Sequence, residues 1–108
     1  MENTAHKAYR CTDHGSDATA HEDGIYFVVR AGSRFGPSEN PNDRIALNYR
    51  RFLSREGAFE DDGLTLRGDE RLLYADEAAR VVTGRICDET SWTAADGSHP
   101  IVRRDART

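Results

Sequence analysis

Lysine is almost absent from this chain: of its 15 basic residues, only Lys7 is not an arginine. Arginine offers a planar fork for carboxylate or phosphate, although a GC-rich genome gives the same skew and is the simpler explanation. Cysteine is equally scarce. Cys11 and Cys87 are far apart and share no motif, so they read as free thiols and a disulfide scaffold is excluded. No run of about 18 apolar residues exists, which rules out a membrane-spanning helix. The opening MENTAHKAYR lacks the apolar centre of a secretory signal, so a cytoplasmic protein is expected. A formal net charge of -4 argues against a broad basic surface for nonspecific DNA binding.

What is present fits one small domain. A chain of 108 residues buries enough surface for a single modest core. Charged residues make up 31% and the mean hydropathy is -0.76, yet the apolar residues fall in periodic runs. Residues 1–23 are polar and carry three of the four histidines; apart from a short strand over Ala8–Thr12, they are expected to form a mobile segment. A single α+β domain is expected over 24–102 and a frayed tail over 103–108, with no internal repeat.

Ile25–Val29 is a β-branched and aromatic run bounded by glycines, which predicts a central strand buried on both faces. After the Gly-Pro loop at 33–40, Asn40 as N-cap and Pro41 at the first position predict a helix ending at Gly57. Ile45, Tyr49, Phe52 and Leu53 form its apolar stripe, with Arg44, Arg50, Arg51 and Arg55 facing water. LTLR and RLLYA read as a hairpin around Gly68-Asp69. A second helix is expected from an Asp76 cap to Gly84, then a strand with Trp92. Asp96-Gly97 suggests a type I′ turn, and Pro100 marks an edge strand. The fold class expected is α+β: a small, mostly antiparallel sheet packed against two helices.

The search for chemistry yields little. Cys11-x-x-His14 is half of a zinc pair that His6, His21 and Cys87 would have to complete. The second close pair is missing, so no metal and no cofactor is expected. The carboxylate pairs Asp61/Asp62, Asp69/Glu70, Asp76/Glu77 and Asp88/Glu89 coincide with turns and helix starts, where acids act as caps. No nucleophile motif is present, and Cys87 fits a small core position. Gly32-Ser33-Arg34-Phe35-Gly36 could hold an anion on backbone amides, although its spacing is that of neither a P-loop nor a dinucleotide fingerprint. Trp92 fits a core position in an alternating strand; if exposed, it would be a stacking platform.

Phe27–Ser33, Ala78–Gly84, Trp92 and Asp96-Gly97 together resemble the domain-of-unknown-function family numbered 4357. More distantly, they resemble the RAMA domain associated with restriction enzymes and adenine methylases. The resemblance spans most of 25–102. It departs from the family at Tyr74-Ala75-Asp76-Glu77 and at Asp88-Glu89-Thr90-Ser91, both more acidic here. It implies a noncatalytic binding module in a DNA modification or restriction setting, with nucleic acid as partner. The residues expected to bind nucleic acid or an anion are Ser33, Arg34, Arg85 and Trp92, the arginines for phosphate and Trp92 for stacking if it is exposed. The competing expectations are a protein-interaction or regulatory subunit of a separate enzyme, and a small-molecule enzyme using Cys87 or the histidines.

Overall fold

The polar N-terminal stretch supplies two strands of the sheet. The computed structural model describes residues 7–102. Within them β1 (Ala8–Cys11) and β2 (Ala18–Asp23) pair antiparallel, and β3 (Tyr26–Val29) joins β2 across the turn at Gly24. The short strand expected at Ala8–Thr12 is present as β1, whereas β2 corrects the mobile segment expected over Asp13–Asp23. The polar letters there belong to a solvated sheet face, while Tyr9, Cys11, Ala18 and Ala20 alternate with them and are buried, the period-2 pattern of a half-buried strand. Residues 1–6 and the expected frayed tail at 103–108 lie outside the described residues.

The remaining elements are α1 (Arg44–Arg55), β4 (Glu70–Leu72), α2 (Ala75–Thr83) and β5 (Thr93–Ala94), with single 3₁₀ turns at Asp13–Gly15 and Glu89–Ser91. The five-stranded sheet runs β4-β3-β2-β1-β5, every neighbouring pair antiparallel. The fold is thus a small α+β domain of one antiparallel sheet and two helices. Its inner face presents Tyr9, Ala20, Phe27, Val29, Leu72 and Ala94 to the buried side of α2, Ala75, Ala78, Ala79, Val81 and Val82. Alanines let that helix approach the sheet closely. Trp92 fills the remaining volume with no exposed surface, its ring 5.1 Å edge-on from Phe27 and its Nε1 donating to the Ala75 carbonyl at 3.1 Å.

Several local expectations shift. Asn40-Pro41-Asn42-Asp43 closes as a β-turn, the Asp43 amide donating to the Asn40 carbonyl at 3.0 Å, so the cap of α1 is Asp43, which accepts from the Ala46 amide. The buried face of α1 is Ala46, Arg50 and Leu53, while Ile45 and Phe52 are exposed. Leu64–Arg67 does not pair with β4; Thr65 bridges Arg34 and Leu66 bridges Phe59. Asp69 instead accepts from the Ala31 amide at 2.8 Å, which turns the chain so that β4 lies against β3. Tyr74, not Asp76, precedes α2. Gly97 alone carries a positive φ, of 86°, in the turn from Ala94 to Ser98, so this is a three-residue loop and not the type I′ turn. Residues 98–102 form no strand, since Pro100 has no amide to give a ladder.

Candidate functional site

The loop that the sequence offers as an anion cradle has no amides left for an anion. Each N–H from Gly32 to Gly36 donates to a carbonyl of the chain: to Leu66, Arg30, Asp17, Leu64 and Val82 in turn, at 2.7–3.1 Å. Ser33 is buried; its hydroxyl accepts from the Thr19 amide at 3.0 Å and donates to the Thr19 carbonyl. A backbone nest needs free N–H groups, and three of these five instead lace the segment between residue 17 and residues 64–66.

Of the other named residues, Arg34 and Arg85 keep exposed side chains. Trp92 is fully enclosed, so no base can stack on it, and the stacking role is withdrawn. It also lies apart from the arginines: its indole bonds the first residue of α2, whereas Arg85 follows the Gly84 cap at the other end. The four residues do not converge.

Arg50 is the group that sequence reasoning misplaces most. Only 6% exposed, it gives Nε to the Val81 carbonyl at 2.7 Å and Nη2 to the carbonyls of Gly36 and Val82 at 2.7 and 3.0 Å. Its guanidinium lies 5.4 Å from the Phe35 ring centroid. The last carbonyls of a helix lack intrahelical donors and carry its negative end, so the cation both satisfies and complements the end of α2. Burial pulls its pKa below the usual arginine value, against an upward push from Glu39. Nothing in its helical spacing distinguishes it from the exposed Arg51.

The acids are occupied in the same structural way. Asp62 accepts from the Thr65 hydroxyl and from the amides of Leu64 and Thr65, which holds its pKa down at about 2. Asp88 and Asp96 close equivalent turns on Thr90 and Ser98 and are likewise lowered. Asp43 caps α1 with one oxygen and receives Arg80 Nε at 2.8 Å on the other, tying the two helices together. The buried Cys11 thiol, pushed up by burial, lies 3.4 Å from Ser16 Oγ, and Cys87 Sγ lies 3.2 Å from Thr83 Oγ1. Among the described residues, no three His, Cys, Asp or Glu side chains are grouped to hold a metal ion. No described helix is long and apolar enough to cross a membrane.

What the structure does concentrate is apolar surface around one groove. At the β2–β3 end of the sheet, Ile25, Tyr26, Leu73, Tyr74 and Ile101 line a recess of about 930 Å³, with Glu22 the only charged residue of its wall among the described residues. Ile25 is 74% exposed, Leu73 51% and Ile101 65%. The sequence holds a signal for part of this. Leu72 and Leu73 are adjacent in an extended stretch, so one must face away from the core. Leu72 is the buried one.

The outer sheet face is mixed in charge. Arg10, Thr19, His21 and Arg71 share it by register. Arg10 is paired with Asp17 at 2.9 Å, and the Arg71 guanidinium lies 5.5 Å from the Tyr26 ring centroid. The open edge of β4 is closed in part by α1, whose Tyr49 hydroxyl donates to the Arg71 carbonyl at 3.3 Å. No protein-family model, curated protein or solved structure matches this chain.

Proposed function

We propose that this domain is a noncatalytic protein-interaction module that makes contact through the groove at the β2–β3 end of its sheet. One observation carries the reading: three large apolar side chains, Ile25, Leu73 and Ile101, are exposed around a single recess. Scattered exposed apolar residues are ordinary, whereas a contiguous set rimming a concavity marks a contact site. Asp43, Asp62, Asp88, Asp96 and both thiols are engaged in turns, caps and the core.

The test is co-purification from the native host with the double variant Ile25→Asp/Leu73→Asp beside the parent. Both positions are exposed, so folding should survive, as far-UV circular dichroism and melting would verify. A stoichiometric protein partner present with the parent and lost with the variant is the expected result. A chain that emerges alone, or a partner retained in full by the variant, removes the reading.

Nucleic acid is the second reading. It is favoured by the resemblance and by the outer sheet face, where Arg71 lies beside Tyr26 and Arg30 follows β3, an open sheet of the kind on which bases can stack. Titration with modified and unmodified duplexes and with a single strand at low salt tests it. Phosphate binding would weaken steeply as salt rises, and no binding at tens of micromolar would end it.

A further inference from the structure

We infer that the groove takes an apolar protein segment carrying a lysine or arginine, with Glu22 as the acceptor of that cation. This rests on the protein-interaction reading and adds the chemistry of the partner.

Glu22 lines the groove together with Ile25, Leu73 and Ile101. By register it pairs with Phe27, which places it on the inner side of the sheet at the groove end. Arg71 pairs with Val28 and so belongs to the opposite face. The carboxylate is felt by Tyr9, whose hydroxyl pKa is pushed up first by burial and then by Glu22. Lys7 acts on the same hydroxyl, but its ammonium is held by Asp96 Oδ2 at 3.1 Å and Ser98 Oγ at 3.0 Å. Among the described residues, Glu22 has no ion pair and no side-chain hydrogen bond. An apolar recess whose one charged wall group among the described residues is a carboxylate without a partner among them complements an aliphatic segment with a cation. It disfavours a segment bearing an acid, because like charges set together at an interface are costly.

The experiment is a methyl-detected NMR titration of the full chain with acetyl-Leu-Arg-Leu-amide, acetyl-Leu-Gln-Leu-amide and acetyl-Leu-Glu-Leu-amide. All three peptides should move the methyls of Ile25, Leu73 and Ile101. The arginine peptide should bind about fourfold more tightly than the glutamine one, the scale of a partly exposed ion pair, and the glutamate peptide most weakly. Glu22→Gln should erase the ranking while the groove methyls still respond. Equal affinities in the parent would overturn the charge assignment and leave the groove as a contact site. Silent methyls with all three peptides would overturn the inference itself, and the co-purification test would then judge the protein-interaction reading separately. Arg103 and Arg104 follow Val102 in sequence, so Arg103→Ser/Arg104→Ser is included. A ranking that appears only in that variant would make the chain's own arginines the occupant and reject a partner cation.

Discussion

Arg50 Nε donates to the Val81 carbonyl at 2.7 Å, joining the middle of α1 to the end of α2 through a buried charge that has no carboxylate in contact among the described residues. The guanidinium fork also serves Gly36 and Val82. Arg50→Met keeps most of the volume and removes every donor, leaving the Val81 and Gly36 carbonyls without that partner, while the Val82 carbonyl keeps the Gly36 amide. Each buried unsatisfied group costs about 1–3 kcal/mol, so the variant should lose about 4 kcal/mol, a large share of a small domain's stability. Arg50→Lys should recover little, since one ammonium cannot reproduce the fork. Urea unfolding checks both; a loss below about 1 kcal/mol for Arg50→Met would show that the carbonyls find other donors.

Gly84 and Gly24 separate backbone strain from crowding. Both have positive φ, 70° and 63°. A Cβ at Gly84 would overlap the Ser38 carbonyl oxygen and come within 3.2 Å of Arg50 Nη2, whereas at Gly24 it would meet nothing within 4 Å. Gly24→Ala should therefore cost about 1 kcal/mol, the left-handed penalty alone. Gly84→Ala should cost at least about 3 kcal/mol, because the contact at fault is backbone. Equal losses in thermal melts would contradict the close approach of residue 38 to the cap of α2.

The indole of Trp92 should report a dry environment. With no exposed surface and its N–H on Ala75, its fluorescence should resist iodide quenching and remain unchanged on adding oligonucleotide. Trp92→Phe removes the N–H donor and part of the contact with Phe27, for an expected loss of about 2–3 kcal/mol. An indole readily quenched in the folded protein would restore the platform role.

These cases show where the sequence was readable. Glycine ends to both helices were legible because positive φ has few residue solutions; Gly57 and Gly84 stand there with φ of 73° and 70°. Trp92 as core followed from size and alternation. The strand at Ala8–Cys11 was legible, but that at Ala18–Asp23 was hidden because one face of an antiparallel sheet is solvated, so half its letters are polar. The rotation of α1 was hidden for a different reason. Ile45, Tyr49, Phe52 and Leu53 make a good apolar stripe, but the face that turns inward is the one that brings Arg50 to the carbonyls of residues 36, 81 and 82. Those acceptors are 14 to 32 residues away, beyond any local pattern. The anion loop misled through its glycines, since composition does not reveal that all five amides already have acceptors.

Glu70 and Asp62 should make stability respond to pH in opposite directions. Glu70 pairs with Val29 on the inner side of β4, and burial raises its pKa above the ordinary 4.5. Its favourable contribution is complete when protonated below about 4.5 and is lost as pH rises through the folded value. Glu70→Gln should therefore be more stable than the parent at pH 7, and the advantage should shrink to nothing in the acid range. Asp62 is the reverse. Held down at about 2 by Thr65 and Leu64, it contributes above the ordinary Asp value of 3.8 and loses that contribution as pH falls toward about 2. Asp62→Ala should weaken the fold at pH 7 and matter progressively less below pH 3.8. Urea midpoints for the parent and both variants across the range from neutral to acid measure the two slopes. A Glu70→Gln variant less stable than the parent at pH 7 would mean that the carboxylate has a cationic partner, and a pH-independent loss in Asp62→Ala would mean that the turn depends on shape and not on charge.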